Sequence, residues 1–263
     1  MKLLGTCLRP FSRELTVIRA FQQHSGRRSY FGETAENYEQ DRVAEPIWQK
    51  EQDFVRGYVT NLPKGSSLID VPLGTGRFIH LYRQYGLAAH GADVSSDMIR
   101  SVRSRGVPSS PAPPMTVADA VALPYPDLSF DYLICWRLFH LTPKKLMNRI
   151  VKELARVTRR ELVFQVFSVN LETRNPVARS LTRVGRSVLF PLVCAKKALT
   201  RREQALPWLH IRSFMHYEQD ILASFEASNL ELLHSTTLDY YDSKPVRVYI
   251  LAKRDLQAIE VSL

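Results

Sequence analysis

The sequence predicts an α/β fold built on a mostly parallel sheet with helices on both faces. Three observations predict it. Ser67-Leu68-Ile69-Asp70-Val71-Pro72-Leu73-Gly74-Thr75-Gly76-Arg77-Phe78 reads as a buried strand, a glycine turn and the start of a helix. A second short strand, Leu87 to Asp93, ends in a carboxylate 19 residues after Gly74. Strand-like and helical stretches then alternate as far as Val169.

Taken in order, residues 1–28 are rich in arginine, and Phe11, Leu15 and Ile18 share a helical face. This stretch reads as a mitochondrial transit peptide or as a helix lying over the domain or on an anionic surface. Pro46 suits a helix start, and Ile47, Phe54, Val55, Tyr58 and Val59 have helical spacing. Leu68, Ile69 and Val71 form the apolar run of a covered strand. Gly74 and Gly76 allow a tight turn with no Cβ in the way of a ligand. From Arg77 the spacing turns helical, with Phe78, Leu81, Tyr82 and Tyr85. The new helix aims free N–H groups into the turn. Asp93 then sits where a ribose diol is held in such a crevice.

Met98, Ile99 and Val102 mark the next helix, and Val107 to Pro114 is a proline-rich connector. A third strand ends at Asp119, and a fourth runs from Phe130 to Trp136. Thr142 is placed to cap a helix with Pro143 at its first position. Leu146, Ile150, Leu154 and Val157 form that helix's apolar face, with Met147 and Val151 alongside. Strand five covers Glu161 to Val169. A basic helical insertion, residues 170–212, carries the stripe Val177, Leu181, Val184 and Val188, and Trp208 and His210 at its exit. A helix from Glu218 to Ser228 follows. Two antiparallel strands close the chain, Leu230–Tyr241 and Val246–Ala252, with a turn at Asp242 to Pro245.

A chain of 263 residues with 45% hydrophobic content can bury a full core. Cys7, Cys135 and Cys194 are odd in number and far apart, which argues for a reducing compartment and against a disulfide framework or a metal site. Val188 to Ala195, the longest uncharged apolar run, is too short to span a bilayer. The net charge of +10 is localised. Residues 1–30 hold six basic residues against Glu14, and residues 170–204 hold eight against Glu172 and Glu203. Such segments attract an anionic membrane surface, a phosphorylated substrate or nucleic acid, or simply solubilise two helices.

The turn resembles the first motif of the class I S-adenosylmethionine-dependent methyltransferases, Asp-x-Gly-x-Gly-x-Gly. Asp70, Gly74 and Gly76 match it, while Pro72 replaces the first glycine and removes one N–H. Thr116-Val117-Ala118-Asp119-Ala120 is similar to the family's third-strand end. Leu123 to Trp136 resembles the "ALPF-x-D-x-SFD" run into strand four. Together these cover roughly residues 63–168, and the similarity is greatest to the type 11 group, which includes ubiquinone and menaquinone biosynthesis methyltransferases.

The resemblance implies a Rossmann-like seven-stranded sheet over residues 63–263, with residues 1–62 as a lid segment and 170–212 on the acceptor side. It implies S-adenosyl-L-methionine as cofactor, with Asp119 at the adenine amino group. The implied binding set is Asp70, Gly74, Thr75, Gly76, Asp93, Val94, Met98, Asp119, Ala120, Trp136 and Tyr38. Tyr38, with Arg42, would seal the methionine end, and Val94 and Met98 would touch the adenine face. His140 resembles a histidine that often follows strand four and is the candidate general base. No metal is expected. The acceptor would be a small molecule, anionic or lipid-like, in the cytoplasm, or in the mitochondrion if residues 1–28 are a transit peptide. A nicotinamide oxidoreductase is disfavoured by Ile79, bulky where the dinucleotide motif wants a small residue, and by the lack of a Tyr/Lys hydride-transfer set. Nucleic-acid methylation ranks lower, because Cys135-Trp136-Arg137-Leu138 stands where an Asn-Pro-Pro-Tyr/Phe motif would. Pro72 favours one further alternative, an inactive methyltransferase-like binding or assembly factor.

Overall fold

The computed structural model describes residues 42–104, 113–169, 214–241 and 244–254. Tyr38, the arginine-rich residues 1–28, most of the proline-rich connector and the insertion at 170–212 lie outside the described residues.

The elements in chain order are α1 Pro46–Val59, β1 Ser67–Asp70, α2 Ile79–Gln84, β2 Ala88–Asp93, α3 Ser96–Ser104, β3 Met115–Val117 and β4 Phe130–Cys135. A 3-10 turn at Phe139–Leu141 leads to α4 Lys144–Val157. Then follow β5 Thr158–Val169, β6 His216–Tyr217, α5 Glu218–Glu226, β7 Leu230–Tyr241 and β8 Lys244–Lys253. The sheet order is β3-β2-β1-β4-β5-β8-β7, with the two-residue β6 pairing beside β5. β1 to β5 run parallel, and β8 is antiparallel to both β5 and β7. The order reverses between β1 and β4, so the crevice expected of such a sheet opens at their carboxyl ends.

Two apolar layers cover the sheet. On one face α1 and α2 bury Val55, Val59, Phe78, Leu81 and Tyr82 against Leu68, Trp136, Val163 and Val248. On the other, α4 and α5 bury Leu146, Ile150, Leu154 and Phe225 against Ile69, Leu133, Phe164 and Tyr249. Phe225 stacks on Phe164 with centroids 5.4 Å apart and meets Tyr249 edge-on. All six apolar positions of α4 named from its periodicity are buried. At the strand starts, Asp131 accepts hydrogen bonds from the Ser67 backbone N–H and hydroxyl at 3.0 and 2.9 Å, pinning β1 to β4.

The structure revises several local expectations. Thr142 does not cap α4. Its buried hydroxyl donates to the Phe139 carbonyl at 3.1 Å, closing the 3-10 turn, and Pro143 takes the cap position. α2 begins at Ile79 rather than at Arg77, whose side chain pairs with Glu51. β5 starts at Thr158 rather than Glu161, because pairing with β4 begins at Phe130 opposite Thr158.

Leu154 is fully buried in the α4 layer. Leu154→Ala is expected to lower the free energy of unfolding by about 2–5 kcal/mol, as read by urea denaturation.

Candidate functional site

The turn after β1 is strapped to both neighbouring strands. The Val71 N–H donates to the Ile134 carbonyl at 2.9 Å and the Leu73 N–H to the Ala92 carbonyl at 2.8 Å. Pro72 lies between these straps, with a cis Val71–Pro72 peptide. Its missing N–H removes neither strap. Leu73 packs onto Gly91 of β2, where a Cβ would lie 2.6 Å from a leucine methyl. Gly74 and Gly76 have φ of +54° and +73°, in the left-handed region that disfavours other residues. A Cβ at Gly76 would lie 2.6 Å from Ile79 Cδ1 and 3.1 Å from the Val102 methyls. Ile79 therefore fills the space where the dinucleotide motif places a small residue. A Cβ at Gly74 would meet nothing within 4 Å, so the turn is open on that side. The buried Thr75 lies between the two glycines.

Asp93 closes the crevice from β2. Its Oδ2 accepts the Gly74 N–H at 2.7 Å, and Oδ1 accepts the Ser95 N–H at 2.8 Å. The Ser95 hydroxyl in turn accepts the Met98 N–H at 3.2 Å and caps α3. Only 6% of Asp93 is exposed. Burial pushes its carboxyl up to about 6, against lowering by the Ser95, Gly74 and Val94 N–H groups. A carboxylate has about four acceptor sites, so these bonds leave capacity for further donors.

Val94, just past β2, and Val117, the last residue of β3, are 41% and 56% exposed, whereas Met98 is buried in α3. Asp119 and Ala120 are half-buried. Asp119 accepts the Val121 N–H at 3.1 Å, and burial pushes its carboxyl up. Two predicted positions sit deeper. Asp70 is buried and accepts the Tyr82 hydroxyl at 2.9 Å, with Oδ1 left without a protein partner. Trp136 is buried between Phe54 and Phe78, with centroids at 5.8 and 5.9 Å.

His140 occupies the 3-10 turn past β4, its ring 5.2 Å from that of Phe167. Burial, then the charges of Arg137 and Arg42 and the nearby His216, hold its imidazole down to about 3. His140 is therefore neutral at physiological pH. His216 is buried, with Nε2 2.8 Å from the Phe139 carbonyl.

Sequence reasoning missed a buried ionic cluster beside the turn. Glu51, fully buried on α1, is paired with Arg77 at 2.6 Å and Arg137 at 2.8 Å. Gln165 of β5 donates to it at 2.6 Å. The signal was present in the sequence: Glu51 falls on the apolar stripe Ile47, Val55 and Val59, four residues from two of them. Among the described residues, no group of three His, Cys, Asp or Glu side chains converges to hold a metal ion. Nor is any helix among them long and apolar enough to cross a membrane.

Residues 68–161 match a family model described as a methyltransferase domain. The domain contains the glycine turn, Asp93, Asp119 and His140, while Glu51 precedes it and Gln165 follows it. Among solved structures the chain is similar to magnesium protoporphyrin IX methyltransferase from Synechocystis PCC 6803 with bound SAM, at 16% identity and a TM-score of 0.58. That alignment covers 95% of this chain and all of the other. It is also similar to a 1,6-didemethyltoxoflavin-N1-methyltransferase from Burkholderia thailandensis, at 10% identity and a TM-score of 0.56, covering 95% and 93%. A SAM-dependent methyltransferase from Methanosarcina mazei matches at 17% identity and a TM-score of 0.53, covering 76% and 96%. At these identities the likeness establishes a shared class I methyltransferase fold. No curated protein matches the chain.

The buried Asp93 makes a pH prediction. Its folded value of about 6 lies above the ordinary 3.8, so the folded state holds a proton over that window that the unfolded chain releases. Its contribution to stability is full below pH 3.8 and lost as pH rises through 6. The stability of Asp93→Asn relative to the unsubstituted protein is therefore expected to rise by about 2–3 kcal/mol between pH 3.8 and 7.5, measured by urea unfolding.

Proposed function

We propose that the chain is an S-adenosylmethionine-dependent methyltransferase acting on a small-molecule acceptor. One observation carries the reading: a carboxylate at the end of β2 holds the N–H of an open glycine turn at the point where the strand order reverses. Dinucleotide chemistry fits less well, since Ile79 fills the required close approach.

In this reading Asp93 accepts the two ribose hydroxyls, its Oδ2 held by the Gly74 N–H and its Oδ1 by the Ser95 N–H. Val94 and Val117 present apolar side chains to an adenine ring, with Asp119 and Ala120 at its edge. Gly74, Thr75 and Gly76 bring the backbone of the turn to the methionine part. Asp70, Trp136 and Met98, all buried, support the site from the core. The sulfonium of the bound cofactor supplies an electrophilic methyl carbon. The protein contributes alignment. His140, neutral and beside Arg137, accepts a hydrogen bond or proton from an acceptor hydroxyl. Its low basicity makes it a positioning acceptor first and a base second. The basic segments at 1–30 and 170–204 favour an anionic or lipid-like acceptor.

Calorimetric titration with S-adenosylmethionine, S-adenosylhomocysteine and NADH tests this reading. The first two are expected to bind and NADH is not. Asp93→Ala is expected to weaken S-adenosylhomocysteine by about 10- to 100-fold, the worth of hydrogen bonds to a charged group. Unchanged affinity in that variant, or binding of NADH alone, would sink the proposal. Cofactor binding without turnover on any acceptor would favour the assembly-factor alternative raised by Pro72.

A further inference from the structure

We infer that Glu51 is a positioning residue: one buried carboxylate on α1 holds both walls of the crevice in the arrangement that binds cofactor. The inference rests on the cofactor reading above.

The two walls are the turn leaving β1 and the segment leaving β4. Each contributes one arginine at its rim. Arg77 directly follows Gly76, and Arg137 directly follows Trp136. Both guanidinium groups end on Glu51. Arg77 Nη1 lies 2.6 Å from Oε2, and Arg137 Nε lies 3.0 Å from both oxygens, with Nη2 2.8 Å from Oε2. Gln165 Nε2 donates to Oε1 at 2.6 Å, bringing β5 into the same cluster.

Each arginine is further constrained. The Arg77 guanidinium lies 3.5 Å over the Trp48 ring and donates to the Trp48 carbonyl at 2.5 Å. Arg137 reaches Glu45 at 3.0 Å, and its backbone N–H donates to Gln165 Oε1 at 2.9 Å. Its φ is +53°, a left-handed conformation that a bulky side chain adopts only when its surroundings impose it. Gln165 thus touches both the Arg137 backbone and the Glu51 carboxylate. A helix anchor alone would not need to reach the β1 turn, the β4 exit and β5 at once. Glu51 is fully buried and ends on Arg77 and Arg137, so it acts on the cofactor through the arginines.

The experiment measures S-adenosylhomocysteine affinity and thermal stability together. The proteins are the full chain, Glu51→Gln, Gln165→Met, and Leu154→Ala as a destabilised control remote from the crevice. All titrations run well below each melting temperature. Glu51→Gln is expected to weaken binding at least about tenfold and Gln165→Met about threefold, because a pre-organised pocket is lost, while Leu154→Ala stays within about twofold. Glu51→Gln binding like the full chain despite a lower melting temperature would overturn the inference, leaving a structural role. An equal loss in Leu154→Ala would overturn it too, since any destabilisation would then suffice. If Glu51→Gln does not fold, Gln165→Met decides, and normal affinity there overturns it. Failure of the unsubstituted protein to bind would overturn the methyltransferase reading and this inference together. Tight binding by it and by every variant would overturn this inference alone.

Discussion

The hydrogen bond from the Gly74 N–H to Asp93 at 2.7 Å sets the shape of the crevice. It spans from the turn after β1 to the end of β2, so neither can move without the other. Gly74 itself holds a positive φ, which turns the chain that follows it. The backbone straps from Val71 and Leu73 to β4 and β2 place the turn between its neighbours. Leu73 against Gly91, and Ile79 against Gly76, then fill the space below. A residue with a side chain at Gly76 would collide with Ile79, so the motif spacing is a packing constraint as well as a conformational one.

The electrostatics of the site divide into two groups with opposite logic. On the β2 and β3 side, burial dominates: Asp93 and Asp119 are both pushed up because few cations compensate them. On the β4 and β5 side, Glu51 is buried with Arg77 and Arg137 in direct contact. Losing one partner of such a buried pair costs about 3–5 kcal/mol, because the other charge is left unsolvated. The cluster therefore resists local change more than a surface ion pair does. Arg137 also bears on His140, whose imidazole is kept neutral by burial first and then by Arg137, Arg42 and His216. Arg137 is thus the one arginine common to the Glu51 cluster and to the surroundings of His140.

Much of the fold was legible because its signals are local. The run Leu68 to Asp70, the two glycines and the α4 stripe each report a neighbour a few residues away. Thr142 shows where local reading fails. Ser, Thr or Asp before a helix is a cap by default, but here the 3-10 turn offered the Phe139 carbonyl first. The helix start is a smaller miss: α2 begins at Ile79, two residues after Arg77, within the usual uncertainty of helix ends.

By itself the sequence determined the class of the fold, the crevice motif and Asp93 as its acidic partner. Those features follow from periodicity, from glycine's backbone freedom and from spacing, all short-range properties. Only the tertiary structure decided that Glu51, Arg77, Arg137 and Gln165 meet, and that Asp70 and Trp136 are buried. The partners of Glu51 lie up to 114 residues away. Their pairing depends on which strand follows β1 in the sheet and on which face α1 packs. No local pattern encodes that choice, because it results from the whole chain burying its apolar surface at once.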